Sequence, residues 1–307
     1  MSRIHEALKK AEQERATTQG GGVGLSGFAT VPVADAPRYE EVEISPVTPK
    51  LGMKELGSPF SLETLLGRCP QTEWNPDLNT MLFMNGNDGA KGTEEYRTLR
   101  SRLYHIREKM PLKTVLVTSA LPKEGKSFTA ANLAQVMVRQ HGRRALLIDA
   151  DLRGPRLHLM LGTPQGPGLA EYLSCKADEA SIIQRGSMEG LFFIPAGEFI
   201  EDPAELVGSG RLKILLQRVE PTFDWIIIDS PPAVPVSDAS VLAKACDGVL
   251  LVVRSNSTPS DVARKARMDF PDQMLIGVVL NGTDREEEKY ARYYYEAYEK
   301  KVTPTQS

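Results

Sequence analysis

Cysteine is scarce. The 307 residues hold three, Cys69, Cys175 and Cys246, an odd number with no CxxC pair. This argues against a disulfide scaffold and a structural zinc site, and fits a reduced, cytoplasmic chain. Long apolar runs are also lacking. The longest are residues 249–253 and 225–228, far short of the roughly 18–20 residues needed to span a bilayer. The opening MSRIHEALKK carries charge but no apolar core, so it does not read as a secretory signal. Basic charge is not in excess either: 37 Lys and Arg against 40 Asp and Glu leave a net charge of −3. Nucleic acid is therefore not an expected partner. With 41% hydrophobic residues, the chain can build one large domain with tails, or two small ones.

The pattern divides the chain into four parts. Residues 1–16 read as a short helix, with Ile4, Leu8 and Ala11 at i, i+4, i+7 behind a Ser2 cap. Residues 17–90 read as a flexible linker: they contain GGGVG, seven prolines between Pro32 and Pro76 and little periodicity. Within them, only residues 60–66 carry a helix-like apolar pattern. Residues 91–283 read as the folded domain, and 284–307 as a polar tail. In the domain, apolar runs at 115–119, 145–149, 191–195, 225–229, 248–253 and 275–280 alternate with amphipathic segments such as 127–140, 238–246 and 260–269. Near-continuous Val/Ile/Leu runs belong to strands buried on both faces, and the alternation implies α/β architecture: a mostly parallel sheet with helices on both faces. Ligands then sit at the C-terminal ends of the strands.

One motif lies at such an end. Residues 120–127, ALPKEGKS, match a P-loop except that Ala120 replaces the first glycine. Gly125 lets the backbone approach phosphates, the helix N-terminus supplies positive potential, Lys126 reaches the β/γ-phosphates and Ser127 offers a hydroxyl to Mg²⁺. Lys123, Glu124 and Phe128 flank these groups as further candidate nucleotide contacts. Two more strands end in acids: LLIDADLR gives Asp149, Asp151 and Arg153, and WIIIDSPP gives Asp229. Asp229 reads as a Walker B acid on Mg²⁺. Asp149 and Asp151, two apart, point alike in an extended segment, one to order the metal and one to accept a proton. Asn281 closes the last apolar run; its amide either reads an adenine edge or forms a turn.

Together, these three motifs resemble the Walker A, A′ and B elements of the bacterial tyrosine kinases of the CpsD/CapB type found in exopolysaccharide loci. The DxDxR and DSPP patterns are the specific part. The resemblance spans about residues 93–300 and implies a MinD/ParA-like P-loop NTPase fold. It further implies ATP and Mg²⁺ as cofactors, catalytic Lys126, Asp149, Asp151 and Asp229, and metal ligands Ser127, Asp149 and Asp229, with Asp149 activating a tyrosine hydroxyl. Arg153 and Asn281 join the nucleotide contacts.

Two other features fit. Five of nine tyrosines, Tyr290, Tyr293, Tyr294, Tyr295 and Tyr298, fall in nine residues among charged neighbours. The resemblance makes them the autophosphorylation substrate, reached in trans. Glu94, Arg97 and Arg100 step by three along one side of a helix, with Leu99, Leu103 and Ile106 on another. By spacing alone that charged side is a solvated face; the resemblance makes it the contact that closes a homo-oligomeric ring. It also implies a separate membrane-embedded activator of the polysaccharide co-polymerase type, a cognate tyrosine phosphatase, and recruitment to the inner face of the membrane by a partner. Relatives often have glycine where Lys123 stands. Two rivals remain at this point. A MinD/ParA-type switch ATPase is disfavoured because Leu121 occupies the place of its second lysine. A non-catalytic nucleotide-binding regulator is disfavoured by the intact acidic set.

Overall fold

A computed structural model describes residues 61–84 and 92–283. The chain divides into two units, 1–53 and 54–307, and every described residue lies in the second. The expected N-terminal helix and the tyrosine-rich tail lie outside the described residues.

Among the described residues, seven strands form one sheet: β1 (Thr114–Ser119), β2 (Ala145–Asp149), β3 (Gln184–Arg185), β4 (Leu191–Ile194), β5 (Trp225–Asp229), β6 (Gly248–Arg254) and β7 (Leu275–Asn281). Their order is β3-β4-β2-β5-β1-β6-β7. All neighbours run parallel except β3 and β4, so the short β3 is the antiparallel edge. The six longer strands match the apolar runs of the sequence. β1, β2, β4 and β5 are buried along their whole length, which is why they show no alternation. Each Leu, Ile or Val so buried contributes roughly 1.5–3 kcal/mol.

The helices are α1 (Leu62–Arg68), α2 (Thr93–Arg107), α3 (Lys126–Val138), α4 (Leu157–Leu161), α5 (Leu169–Leu173), α6 (Glu179–Ile182), α7 (Pro203–Gly208), α8 (Arg211–Val219), α9 (Asp238–Ala243) and α10 (Ser260–Met268). One face of the sheet packs against α2, α3 and α4 through Tyr96, Leu103, Leu133, Met137 and Leu161. The other packs against α1 and α5 to α10 through residues such as Leu65, Leu173, Leu215, Leu242 and Ala266.

The sheet's interior corrects one reading of the composition. Residues 61–84, taken as part of the linker, are packed onto the domain. Ser61 caps α1 by accepting the Thr64 N–H at 3.1 Å, and Leu65 is fully buried. Trp74, Met81, Leu82 and Phe83 then join the core. Beyond α1, periodicity misses this strap because residues 69–84 form neither helix nor strand. Its backbone is satisfied instead by two buried amides of α3. Asn132 Oδ1 accepts the Leu82 N–H at 2.9 Å and Asn132 Nδ2 donates to Thr80 O at 2.8 Å, while Gln135 Oε1 accepts the Phe83 N–H at 3.2 Å. Trp74 lies flat against Gly186, where any side chain would collide with the indole: a Cβ would stand 2.1 Å from its ring. Asn132→Ala leaves buried backbone groups without partners, which costs about 1–3 kcal/mol each. The expected result is a melting temperature lower by several degrees and faster proteolysis within residues 76–84, checked by thermal unfolding and limited digestion.

Candidate active site

The parallel order fixes where chemistry collects. β1 lies between β5 and β6, and β2 lies beyond β5. Asp149 and Asp229 are register partners across β2 and β5, and Val117 of β1 stands opposite Asp229. The acids read from separate motifs are therefore neighbours at the C-terminal edge of the sheet, beside the loop that leaves β1.

That loop wraps into the N-terminus of α3. Gly125 has φ +96°, and a Cβ there would lie 2.0 Å from Asn281 Nδ2, so only glycine fits. Lys123 also has positive φ, 67°, which explains why a glycine suits this place; lysine bears a cost of about 1 kcal/mol there. The side chain of Glu124 is buried and turns inward. Its carboxylate accepts the Leu121 N–H at 2.8 Å and the Thr258 hydroxyl. Asn281 Nδ2 donates to Glu124 O at 2.8 Å, and Arg254 Nη1 donates to Lys123 O at 3.0 Å. Asn281 thus clamps the loop from the end of β7. Of the two readings of this residue, the amide nitrogen is spent on protein backbone.

Lys126 occupies the centre of the acids. Its Nζ lies 2.6 Å from Asp151 Oδ2, 3.7 Å from Asp229 Oδ2 and 3.3 Å from Ser127 Oγ. Burial works against its charge, but the carboxylates of Asp229, Asp151 and Asp149 outweigh burial and hold the ammonium above the usual lysine range. Burial and the neighbouring Asp229 push the Asp149 carboxyl up, against the Leu157 amide. Asp229 is also raised by burial, with Lys126 and the nearby Ser127 hydroxyl opposing.

The three acids have distinct surroundings. Asp149 spends its oxygens on backbone: Oδ1 accepts the Asp151 N–H at 3.2 Å, and Oδ2 accepts those of Arg156 and Leu157 at 3.2 and 3.1 Å. It stands behind the site and shapes the turn after β2. The DxD spacing does not make the two acids equivalent, because the chain leaves the strand between them. Asp151 is the one that lines the cavity. Asp229 is fully buried, and neither of its oxygens has a hydrogen-bond partner among the described residues.

This orphaned carboxylate tests the fit of a divalent cation. Among the described residues, no three His, Cys, Asp or Glu side chains form a metal site by themselves. Asp229 and Ser127 instead offer two hard oxygen donors beside the phosphate loop. Mg²⁺ prefers such a site, since it takes one or two protein oxygens and completes its shell with phosphate and water. The residues fit the ion.

The cavity over these groups measures about 690 Å³. Gly125, Lys126, Ser127 and Phe128 form one side, and Asp151, Arg153 and Arg156 another. An apolar wall of Leu159, Met160, Pro231, Pro235 and Val236 completes it. Arg153 is held in a two-pronged pair with buried Asp238 of α9, at 2.7 and 3.1 Å. Asp238, Thr258, Arg254 and the apolar wall carry no motif and were not expected from the sequence. The strap also reaches the rim: Asp77 lines the cavity, and its N–H donates to Met160 O at 3.0 Å.

The charged side of α2 is engaged within the chain. Glu94 pairs with Arg97, while Arg100 Nη1 donates to Val136 O of α3 at 3.0 Å. Leu103 is buried, and Leu99 and Ile106 pack beside it as expected.

Comparison with known proteins agrees with this geometry. The ParA family model, described as NUBPL iron-transfer P-loop NTPase, matches residues 112–289. Tyrosine-protein kinase YwqD of Bacillus subtilis (strain 168) is 36% identical over 205 residues, or 66% of this chain and 85% of that protein. This chain belongs to the bacterial tyrosine kinases. Tyrosine-protein kinase CpsD of Streptococcus agalactiae is similar at 33% identity over 66% of this chain and 90% of that protein. The solved kinase domain of the Escherichia coli tyrosine kinase ETK superposes with a TM-score of 0.61 at 28% identity, over 67% of this chain and 80% of that one. Within the family, the chain spans only 31% and 28% of two longer relatives that it also matches. The expected MinD/ParA-like P-loop fold is the fold observed.

Proposed function

We propose that this protein is a protein-tyrosine autokinase that uses Mg·ATP to phosphorylate its own tyrosine cluster, residues 290–298, in trans. The observation that carries this reading is the Lys126–Asp151 contact of 2.6 Å at the floor of a cavity with an apolar wall. Incoming β/γ-phosphates compete with Asp151 for the ammonium. As Lys126 turns to the phosphates, Asp151 is released inside the cavity, with its Oδ1 still held by the Gly154 N–H at 3.0 Å. A tyrosine ring placed on Leu159, Met160 and Pro235 presents its hydroxyl there. The phenolic oxygen bonds to the γ-phosphorus, the bond to the bridging oxygen breaks, ADP leaves, and the phenolic proton passes to Asp151. Mg²⁺, held by Ser127 and Asp229, supplies charge neutralisation on the phosphates. The protein's share is positioning and electrostatics. In this reading Asp151 takes the role that the family resemblance gives to Asp149.

In the same reading, Glu94 and Arg97 face a neighbouring copy in a ring. A separate membrane-embedded co-polymerase-type protein recruits the cytoplasmic kinase to the membrane and activates it, a tyrosine phosphatase reverses it, and the cycle controls exopolysaccharide or capsule export. Acquired phosphates, each about −1.5 to −2 charges, repel the acidic site and loosen the ring.

Intact mass after incubation with Mg·ATP tests the reading. The expected result is a ladder of phosphate additions, mapped to residues 290–298, in the wild type and absent in Lys126→Met. Lack of labelling even with the cytoplasmic segment of an activator, while ATP is still hydrolysed, would overturn it in favour of a switch ATPase.

A further inference from the structure

A second cavity, of about 700 Å³, lies at the opposite edge of the sheet, where α3 ends and β2 and β4 begin. Its apolar part comes from Leu62 and Leu66 of α1, Phe83 of the strap and Phe192 of β4. The loop at 139–144, RQHGRR, supplies Arg139, His141, Arg143 and Arg144 to its lining. Glu189 is the one acid in that lining among the described residues.

The cations are positioned rather than loose. Arg143 pairs with Asp224 at 2.8 Å, and the Arg144 backbone N–H donates to the same carboxylate at 2.9 Å. Arg144 Nε donates to Thr222 O at 2.7 Å. The two terminal nitrogens of Arg144 have no hydrogen-bond partner among the described residues. Among the described residues, three arginines and no lysine line this cavity. Guanidinium forks suit bidentate recognition of a phosphate, whereas lysine acts as a point charge. A flat basic face would suit a lipid surface. Here the cations rim a concavity with phenyl and leucyl side chains in it, which suits an aromatic ring carrying the anion.

We propose that this cavity binds a phosphotyrosine from residues 290–298 of a second copy of the chain. The segment offers five tyrosines just after Glu286, Glu287 and Glu288, and each phosphate adds about −1.5 to −2 charges that complement the arginines. A neighbour's tail is favoured over the chain's own by the sheet order. β7, from which the tail departs, is five strand steps from β4, roughly 24 Å across, and it ends at the other edge. The source of the phosphate rests on the autokinase reading; the binding itself does not.

The test uses the full-length protein and a labelled synthetic peptide of residues 284–301, with and without phosphate on Tyr294, followed by fluorescence polarisation. The phosphopeptide is expected to bind more tightly than the plain peptide by about tenfold or more. Arg139→Glu combined with Arg144→Gln should remove that preference. Leu66→Glu, on the exposed rim of α1, should weaken binding too and keeps the test valid if the arginine variant folds poorly. A non-hydrolysable ATP analogue with Mg²⁺ should leave the peptide bound. Equal binding of both peptides, wild-type binding by both variants, or displacement by the nucleotide would each overturn the proposal. So would co-sedimentation with phosphatidylserine vesicles that these variants abolish, with no peptide binding. Peptide binding as expected with no phosphate ladder, even with the activator segment present and ATP hydrolysed, would retain the cavity and refute the autokinase.

Discussion

Asp229→Asn should raise the melting temperature of the nucleotide-free protein while lowering Mg·ATP-dependent phosphorylation by about 100-fold or more. The two effects have one cause. Asp229 is fully buried, its oxygens lack hydrogen-bond partners among the described residues, and Asp149 is its register partner on the next strand. A buried carboxylate without hydrogen bonds is destabilising even with Lys126 at 3.7 Å. When Asp229 is neutralised, Lys126 keeps the nearer Asp151, at 2.6 Å against 3.7 Å, as its counter-ion. Removing the charge should stabilise by about 1–2 kcal/mol, a gain of roughly 2–4 °C per kcal/mol in a domain of this size. The same substitution removes a hard oxygen from beside the phosphate loop, so transfer falls. Differential scanning fluorimetry with and without Mg·ATP, alongside phosphate incorporation, checks both signs. A drop in melting temperature would show that Asp229 is a structural counter-ion, and its role as a metal ligand would lose its support.

Lys126→Met should act in the opposite sense on stability and the same sense on activity. Its ammonium faces Asp151 and Asp229, and Asp149 also supports its charge. Removing the cation leaves those carboxylates uncompensated. Breaking a buried pair in this way costs about 3–5 kcal/mol, and phosphoryl transfer should fall on the order of 1000-fold. The double variant Lys126→Met with Asp151→Asn should recover part of the lost stability and none of the activity. Chemical denaturation of the four proteins of this cycle measures the coupling. A single variant as stable as wild type would mean that the acids are already protonated around a neutral site.

The six longer strands, the phosphate loop and the three acids were all legible in the sequence, for a common reason. β1, β2 and β5 are buried on both faces, so they must be continuous apolar runs, and a parallel sheet puts its reactive residues where such runs stop. Gly125, Lys126 and Ser127 declare themselves by spacing because phosphate binding demands those types in that order. The family resemblance rested on these same short segments and was met by relatives that match about two thirds of the chain. Other features were decided only in three dimensions. Asp149 and Asp151 are two residues apart and look interchangeable, yet the turn after β2 sends one into backbone contacts and the other into the cavity. Asn281, more than 150 residues from the loop it clamps, has no local signal for that role. The strap of residues 61–84 reads as linker because its order comes from Asn132 and Gln135 of α3, and a side chain that satisfies a distant backbone leaves no period in the segment it holds. Sequence determines patterns that repeat along the chain or that chemistry spaces closely. Packing between distant segments is set by which groups remain unsatisfied when the core closes, and only the folded chain decides that.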